Sequence, residues 1–243
     1  NDFISNSFIL NTCDSTNTYL KNISMKNSTA EGTIVVANSQ SNGKGRQGRL
    51  FYSPENVGLY FSILLKPFKI DLITSFIATS VATAIDKLYN VNTQIKWVND
   101  IYLNGKKICG ILTEGQIEIE SQSPSFLIIG IGINVNNISI NKELSNIATS
   151  LFIETKKSIN RLELLSEIIN NISYYANKIS KGDFISIYRK KMFLVNSKIK
   201  FTRNNKILIG KVLGVDDDCS LIIETDNNEI INLNSGEVHI ISV

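Results

Sequence analysis

The segment from Gln94 to Asn134 constrains the fold more than any other part of the chain. Within it, Asn104-Gly105 separates two runs in which apolar and polar residues alternate, and Asn-Gly is typical of a two-residue β-hairpin. An apolar run rich in β-branched residues, over residues 126–133, follows in the same segment. The sequence therefore predicts several strands joined by tight turns, which favours a largely antiparallel sheet.

Helical periodicity appears on both sides of this segment. Apolar residues recur at helical spacing over Asp71–Tyr89 and Asn160–Ser180, with Asp71 and Asn160 as the predicted N-caps. Shorter helices are predicted from Asp14 or Ser15 to about Met25 and over Asp183–Lys191. Strands are predicted over residues 7–10, 32–38 and 58–66.

The pattern changes after about Leu194. Short strand-like runs alternate there with Asn-Asn, Asp-Asp-Asp and Asp-Asn-Asn turns, which is typical of a small antiparallel barrel. We predict a domain boundary between residues 191 and 192. The fold class expected is α+β: residues 1–191 form a mixed, largely antiparallel sheet with helices, and residues 192–243 form a small SH3-like β-barrel.

Composition excludes several chemistries. The 243 residues contain one histidine, His239, and three scattered cysteines, which rules out a zinc site of four cysteines or of two cysteines and two histidines. A histidine-centred triad would have to use His239, which we expect to be structural. The net charge of +3 is too small to indicate nucleic-acid or membrane binding.

The ends and the cysteines suggest a location. The N-terminus shows no secretory signal, and the longest apolar stretch, Phe126–Ile133, is too short to span a membrane. Three widely spaced cysteines are typical of a reducing compartment. We therefore expect a cytoplasmic protein with no membrane partner.

A basic, glycine-rich loop, Ser39–Arg49, is the first candidate for chemistry. Residues 43–49 (GKGRQGR) match the dinucleotide fingerprint G-x-G-x-x-G formally, but Leu50-Phe51-Tyr52-Ser53-Pro54 follows where a helix should begin. A P-loop is excluded because Gly-Lys is not followed by Ser or Thr. The loop by itself is equally consistent with a polyanion site and with a solvated basic loop.

Three further segments carry polar residues beside buried-looking strands. They are residues 96–100 (KWVND), 107–114 (KICGILTE) and 130–136 (GIGINVN). Each has an ordinary explanation when taken alone, namely a turn, an exposed hairpin residue and a β-bulge. Their order along the chain is more informative than any one of them.

Taken together, these motifs resemble the biotin protein ligases, in a short form that lacks an N-terminal DNA-binding domain. The resemblance covers the whole chain, from Asp14-Ser15-Thr16-Asn17 to Gly236-Glu237-Val238. Two positions depart from the family pattern. Lys44 stands where the loop usually has Arg and loses a bidentate fork, and Val98 stands where the turn usually has Pro.

The resemblance implies a role for each matched residue. Catalysis is assigned to Lys107, Arg46 and Asp100. Biotin binding is assigned to Ser15, Thr16, Asn17, Gln40, Lys44, Gly45, Arg46, Lys107 and Gly110. Binding of ATP and the adenylate is assigned to Arg46, Arg49, Phe51, Asn99, Gly130, Gly132 and Asn134. Gly110, Gly130 and Gly132 are expected to leave room for the ligand.

The same resemblance implies the reaction. The carboxylate of biotin attacks the α-phosphate of ATP, pyrophosphate leaves, and a lysine of the biotin carboxyl carrier protein then attacks the mixed anhydride. ATP, Mg²⁺ and biotin are the small molecules required, and no metal site in the protein is expected. With no histidine base in the matched motifs, we hypothesise that Asp100 orients or deprotonates the incoming lysine.

Three alternatives remain open at this point. A lipoate or octanoate protein ligase shares the fold but normally carries an Arg-Arg-x-Ser-Gly-Gly-Gly loop, which this chain lacks. A biotin-sensing repressor needs a helix-turn-helix, and only 13 residues precede Asp14. A nucleic-acid-binding module is disfavoured because the segment after Asn196 lacks dense aromatic and basic residues.

Two further expectations concern behaviour in solution. We expect a monomer or a weak homodimer. We also expect the loop Ser39–Arg49 to be mobile without ligand, because it has almost no apolar anchor. Proteolysis in the loop should then decrease when biotin and ATP are added.

Overall fold

The chain folds around two β-sheets. A computed structural model describes residues 3–26, 29–66, 70–117, 124–176, 183–203 and 206–242. The first sheet has seven strands, and the second has five. No helix in these ranges is long and apolar enough to cross a membrane.

The seven-stranded sheet is mixed and largely antiparallel, as predicted. Its strands are β1 (Ser7–Cys13), β2 (Ile34–Gln40), β3 (Leu59–Leu65), β4 (Gln94–Lys96), β5 (Asp100–Leu103), β6 (Lys106–Ile117) and β7 (Pro124–Ile133). Their order is β1-β2-β3-β7-β6-β5-β4, and the β1–β2 pair is the parallel one. The predicted hairpin turn joins β5 to β6, and both Asn104 (φ 50°) and Gly105 (φ 79°) adopt the positive φ that such a turn requires.

Five α-helices pack around this sheet in the described ranges. They are α1 (Thr16–Lys26), α2 (Ile70–Tyr89), α3 (Leu151–Thr155), α4 (Arg161–Ala176) and α5 (Asp183–Lys191). Helices α1 and α2 pack on opposite faces of the sheet. Neighbouring side chains of a strand point to opposite faces, so each strand contributes residues to both cores. Leu20 of α1 packs with Val35 and Leu64, whereas Ile34 and Ile63 face the larger core that contains α2.

The predicted helices are confirmed apart from details at their ends. Asn160 caps α4, since its Oδ1 accepts hydrogen bonds from Leu162 N at 3.0 Å and Glu163 N at 3.3 Å. Helix α2 begins at Ile70, so Asp71 lies within its first turn and is not the cap; the Asp71 side chain lies outside the described residues. The predicted end of α4 also lies outside them, since residues 177–182 are not described.

Helix α3 was not predicted from the sequence. Ser150 begins it, and its Oγ accepts a hydrogen bond from Ile153 N at 3.0 Å. The helix has only five residues, which is too short for a helical period to appear in the sequence. Ser150 ahead of an apolar pair was the available signal.

The C-terminal sheet is antiparallel throughout. It contains β8 (Lys198–Arg203), β9 (Lys206–Val215), β10 (Leu221–Thr225), β11 (Ile230–Leu233) and β12 (Val238–Ser242), in the order β11-β10-β9-β8-β12. No pairing between β11 and β12 is found in the described part of the chain, so a closed barrel is not confirmed. Trp97 joins the two sheets, because its Nε1 donates to Cys219 O at 2.9 Å.

Candidate active site

One cavity of about 470 Å³ collects every residue that the sequence assigned to a site. It lies on the α1 face of the first sheet and is bounded on one side by β12. The predicted residues that line it are Ser15, Thr16, Asn17, Gln40, Lys44, Gly45, Arg46, Arg49, Phe51, Asn99, Asp100, Lys107, Gly110, Gly130, Gly132 and Asn134. Motifs scattered over 120 positions therefore form one surface.

The inner end of the cavity is an uncharged polar wall at the start of α1. Ser15, Thr16 and Asn17 are each less than 5% exposed. Gln40 orders this wall from β2, because its Oε1 accepts from Thr16 N at 2.8 Å and its Nε2 donates to Ser53 Oγ at 2.8 Å. Such a wall suits a buried ligand group that has both donors and acceptors.

Two residues that the sequence analysis did not select hold Asn17. Ser62 Oγ lies 2.6 Å from Asn17 Oδ1, and Asn17 Nδ2 donates to Glu114 Oε2 at 2.6 Å. Glu114 ends the motif 107–114, but nothing in the sequence connects it to residue 17. The contact exists because β3, β7 and β6 are neighbours in the sheet.

Strand glycines make room for side chains of the site itself. Ser62, Gly130 and Leu112 stand side by side on β3, β7 and β6, and a Cβ at Gly130 would lie 2.3 Å from Asn17 Oδ1. In a parallel row, a Cβ at Gly132 would lie 2.5 Å from the Phe51 ring. The glycines thus form a floor for Asn17 and Phe51, in addition to lining the cavity.

A lysine and an aspartate face each other on the β5–β6 hairpin. Lys107 Nζ lies 2.7 Å from Asp100 Oδ1, and both side chains are partly exposed to the cavity. The Lys107 backbone is held at both ends, because its N donates to Ile147 O and its O accepts from Thr149 N, each at 2.9 Å. The ammonium group is therefore presented from a rigid support.

The basic loop is attached to the C-terminal sheet. Arg46 donates to Asn99 Oδ1 at 3.0 Å and to Gly236 O at 2.7 Å. Arg49 makes a bidentate contact with the Glu237 carboxylate, with Nη2–Oε2 at 2.8 Å. Glu237 was quoted in the sequence resemblance without a role, since residues 188 positions apart give no local signal of contact. Mobility of the loop stays a prediction.

Burial and charge shift two pKa values at this end of the cavity. Burial lowers the pKa of Lys96, which lines the cavity and was not assigned a role. The hydrogen bond from Arg49 lowers the pKa of Glu237. The cavity therefore combines an uncharged inner end with a cationic outer end.

The Arg49–Glu237 contact gives a pH-dependent stability. Because the folded-state pKa of Glu237 is lowered, its contribution is present above the ordinary glutamate pKa of about 4.3 and is lost as the pH falls through the lowered value. We expect Glu237→Gln to lower the free energy of unfolding by less than about 1 kcal/mol at pH 7, since Arg49 is exposed.

That difference should shrink towards zero in acid. Urea titrations of both proteins from pH 7 to pH 3 measure it. Glu229→Gln, at an exposed turn residue of the same sheet, is the control and should show no such pH dependence. A Glu237→Gln effect that stays constant across this range would contradict the assignment.

His239 lies on β12 of the C-terminal sheet, where it pairs with Lys200 of β8, and its side chain is at the rim of the cavity. Its side chain is 58% exposed, and Nε2 is 3.9 Å from Glu237 Oε2. Within the described ranges, no group of three or more His, Cys, Asp and Glu residues is arranged to hold a metal ion. The two carboxylates of the cavity, Asp100 and Glu237, each face a cation instead.

Comparison with known proteins identifies the class. Residues 9–134 match the Biotin/lipoate A/B protein ligase family, and residues 195–240 match the Biotin protein ligase C terminal domain. A biotin protein ligase from Aquifex aeolicus, solved in complex with biotin and ATP, is 31% identical, with a TM-score of 0.86 over 99% of this chain and 100% of that one. The chain is homologous to biotin protein ligases.

Curated relatives agree with this class. The bifunctional ligase/repressor BirA of Bacillus subtilis is 34% identical over 88% of this chain and 68% of its own length. The corresponding protein of Bacillus spizizenii is 36% identical over 82% of this chain and 63% of its own length. The chain belongs to the biotin/lipoate A/B protein ligase family. It spans about two thirds of the length of these two relatives. The repressor activity in their names is therefore a property of those proteins and is not assigned to this chain.

Proposed function

We propose that this protein activates biotin with ATP to biotinyl-5′-AMP and then transfers biotin to a lysine of a carrier protein. The observation that carries the proposal is the division of one cavity into two ends. The inner end, Ser15–Asn17, suits the ureido ring, and the outer end presents Lys44, Arg46 and Lys107. Biotin is a ligand with an uncharged polar ring and an anionic tail, so the two ends match it.

In the first step, a carboxylate oxygen of biotin bonds to the α-phosphorus of ATP, and the bond to the pyrophosphate oxygen breaks. Two anions must approach each other for this attack. Lys107 is the residue to hold both, since its ammonium group is fixed at the cavity and neutralises charge that grows in the transition state. Catalysis then depends on positioning and charge stabilisation.

The arginines of the basic loop supply further positive charge. Arg46 contacts two neutral acceptors, Asn99 Oδ1 and Gly236 O, and a phosphate is a stronger partner for a guanidinium than either. Phe51 lies over Gly132 and beside Gly110, where it offers an apolar surface to adenine. Asn134 lies at the same end, with Nδ2 donating to Thr149 O at 3.0 Å.

In the second step, the acceptor amine attacks the carbonyl carbon of the adenylate, AMP leaves with its phosphate oxygen, and an amide forms. The attacking amine must lose protons. Asp100 is the carboxylate nearest to Lys107, with Oδ1 2.7 Å from Nζ, and is the candidate to orient the incoming amine and accept a proton.

Replacing Asp100 tests this step. Asp100→Asn keeps the shape but cannot accept a proton at pH 7, and we expect transfer from preformed adenylate to slow by about 100-fold or more. Single-turnover transfer to a carrier domain measures it. Asp217→Asn, which removes an exposed ion pair with Arg189, is the control. Transfer by Asp100→Asn at the unaltered rate would show that another group acts on the amine.

Magnesium enters this proposal as part of the ATP substrate. The described residues offer no carboxylate cluster for it, so we assign no protein ligands and route no step through the ion. Triphosphate oxygens are ligands that Mg²⁺ prefers, and it normally keeps several waters beside them.

The domain division and the C-terminal fold also belong to this proposal. We assign residues 1–191 to the ligase domain and 192–243 to a small SH3-like barrel, supported by the separate five-stranded sheet that begins at Lys198. Its turn at Gly236 and Glu237 closes one side of the cavity. We also propose a monomer or weak homodimer in the cytoplasm.

The decisive experiment is a mass measurement. Incubation with ATP, Mg²⁺, biotin and a biotin carboxyl carrier domain should add one biotinyl group to that domain and release pyrophosphate. Lipoate in place of biotin separates the two ligase types of the family. Mass gain with lipoate and none with biotin would overturn the proposal.

A further inference from the structure

The inner wall depends on which way the Asn17 amide points. The oxygen and nitrogen of an amide have nearly the same shape, so the hydrogen-bond partners decide the orientation. Asn17 is 3% exposed, and a Cβ at Gly130 would lie 2.3 Å from its Oδ1. The side chain therefore occupies a confined place, and its orientation determines what the wall offers to a ligand.

Glu114 selects the orientation. An ionised carboxylate only accepts hydrogen bonds, so the atom of Asn17 at 2.6 Å from Glu114 Oε2 must be the amide nitrogen. The amide oxygen then faces Ser62 Oγ, also at 2.6 Å. Glu114 does not line the cavity, so it acts on a ligand only through Asn17.

The wall then has more acceptor lone pairs than hydrogens to fill them. The Ser62 hydroxyl has a single hydrogen, but it lies 2.6 Å from Asn17 Oδ1 and 2.7 Å from Thr16 Oγ1. The Thr16 hydroxyl hydrogen is directed to Gln40 Oε1 at 3.2 Å. The Asn17 amide oxygen has two lone pairs and Ser62 fills at most one of them, so a ligand N–H group can donate to the other.

We propose that Glu114 is a positioning residue that makes the inner wall an acceptor for a ligand N–H group, by fixing the Asn17 amide with its oxygen towards Ser62. This inference rests on the proposed function and deepens it. The ureido ring of biotin carries N–H groups, whereas the dithiolane ring of lipoate carries none. A site whose polar groups need a partner discriminates strongly against a ligand that lacks one.

Glu114→Gln removes the carboxylate that selects the orientation of the Asn17 amide, and it leaves the shape of the side chain at position 114 nearly unchanged. The glutamine amide can donate or accept, so Asn17 is free to turn its nitrogen towards Ser62, and the wall then presents donors to the ligand N–H group. Loss of a charge-assisted hydrogen bond and of the matching acceptor should raise the Kd for biotin about 10-fold or more. The KM for ATP should not change, because the phosphate end contains no part of this network.

A second substitution restores the acceptor by another route. Asn17→Asp alone places two carboxylates in contact and should weaken biotin binding at least as much. In Asn17→Asp/Glu114→Gln, the new glutamine donates to one oxygen of the aspartate, and the other oxygen faces Ser62. This double variant should bind biotin within about threefold of the unaltered protein, a strong departure from additivity.

Titration calorimetry with biotin on the full chain compares these three variants, the unaltered protein and Glu229→Gln, an exposed control of the same chemical change. Thermal unfolding of each variant accompanies it. Rescue in the double variant supports the inference even when a single variant fails to fold. A double variant that binds as weakly as the worse single variant, or a Glu114→Gln protein that binds biotin normally, overturns it. Absence of biotin binding by the unaltered protein instead overturns the proposed function.

Discussion

Lys107→Ala is expected to slow formation of biotinyl-5′-AMP by about 100-fold or more, with a much smaller loss of biotin affinity. The ammonium group contributes most where the carboxylate and the α-phosphate approach, and less in the complex with biotin alone, whose ring is held by the uncharged wall. Pyrophosphate release under single-turnover conditions measures the chemical step, and calorimetry measures biotin binding.

Two further variants separate this effect from its side consequences. Lys87→Ala removes a lysine that also lies 2.7 Å from a carboxylate, that of Glu167, but far from the cavity, and it should leave both measurements unchanged. Lys107→Ala leaves Asp100 without its cation, so Lys107→Ala/Asp100→Ala shows how much of the loss comes from an unpaired carboxylate. Equal losses of adenylation and of biotin affinity in Lys107→Ala would contradict the assigned role.

Trp97→Ala should have the largest effect on stability, lowering the free energy of unfolding by about 3–5 kcal/mol. The indole is 3% exposed, packs in the core shared by both sheets, and donates to Cys219 O across their junction. Its removal leaves a cavity and an unpaired carbonyl. Urea unfolding followed by circular dichroism measures the change.

Matched variants divide this loss into its parts. Trp97→Phe keeps most of the apolar contact and should cost about 1–3 kcal/mol, chiefly for the lost partner of Cys219 O. Leu162→Ala, at a 70% exposed side chain, should change stability by less than about 0.5 kcal/mol. A Trp97→Ala effect as small as that of Leu162→Ala would show that the junction contributes little.

Local patterns predicted most elements because the forces that form them are local. The Asn104-Gly105 turn, the Asn160 cap and the helical period of α2 each depend on residues within a few positions. Helix α3 was missed because five residues do not complete a recognisable period. Closure of the C-terminal barrel depends on pairing between distant strands, and it stays a prediction.

The candidate site divides in the same way. Part of its lining was identified from motifs, since glycines and basic residues at fixed spacing form a recognisable pattern, whereas Lys96 and Glu237 line the cavity and were not assigned a role. Its supporting residues were not identified, because Glu114, Ser62 and Glu237 act across strand neighbours or between sheets. No local rule connects residue 17 with residue 114.

The residue types at the cavity, and hence the class of chemistry, follow from the chain of amino acids alone. The order β3-β7-β6 in the sheet determines which of these residues contact each other, and residue types alone do not specify that. It places Gly130 beneath Asn17 and Glu114 beside it, and so selects the sense of a hydrogen bond. Hydrogen bonding is directional over about 3 Å, so its pattern is decided only when distant segments have packed together.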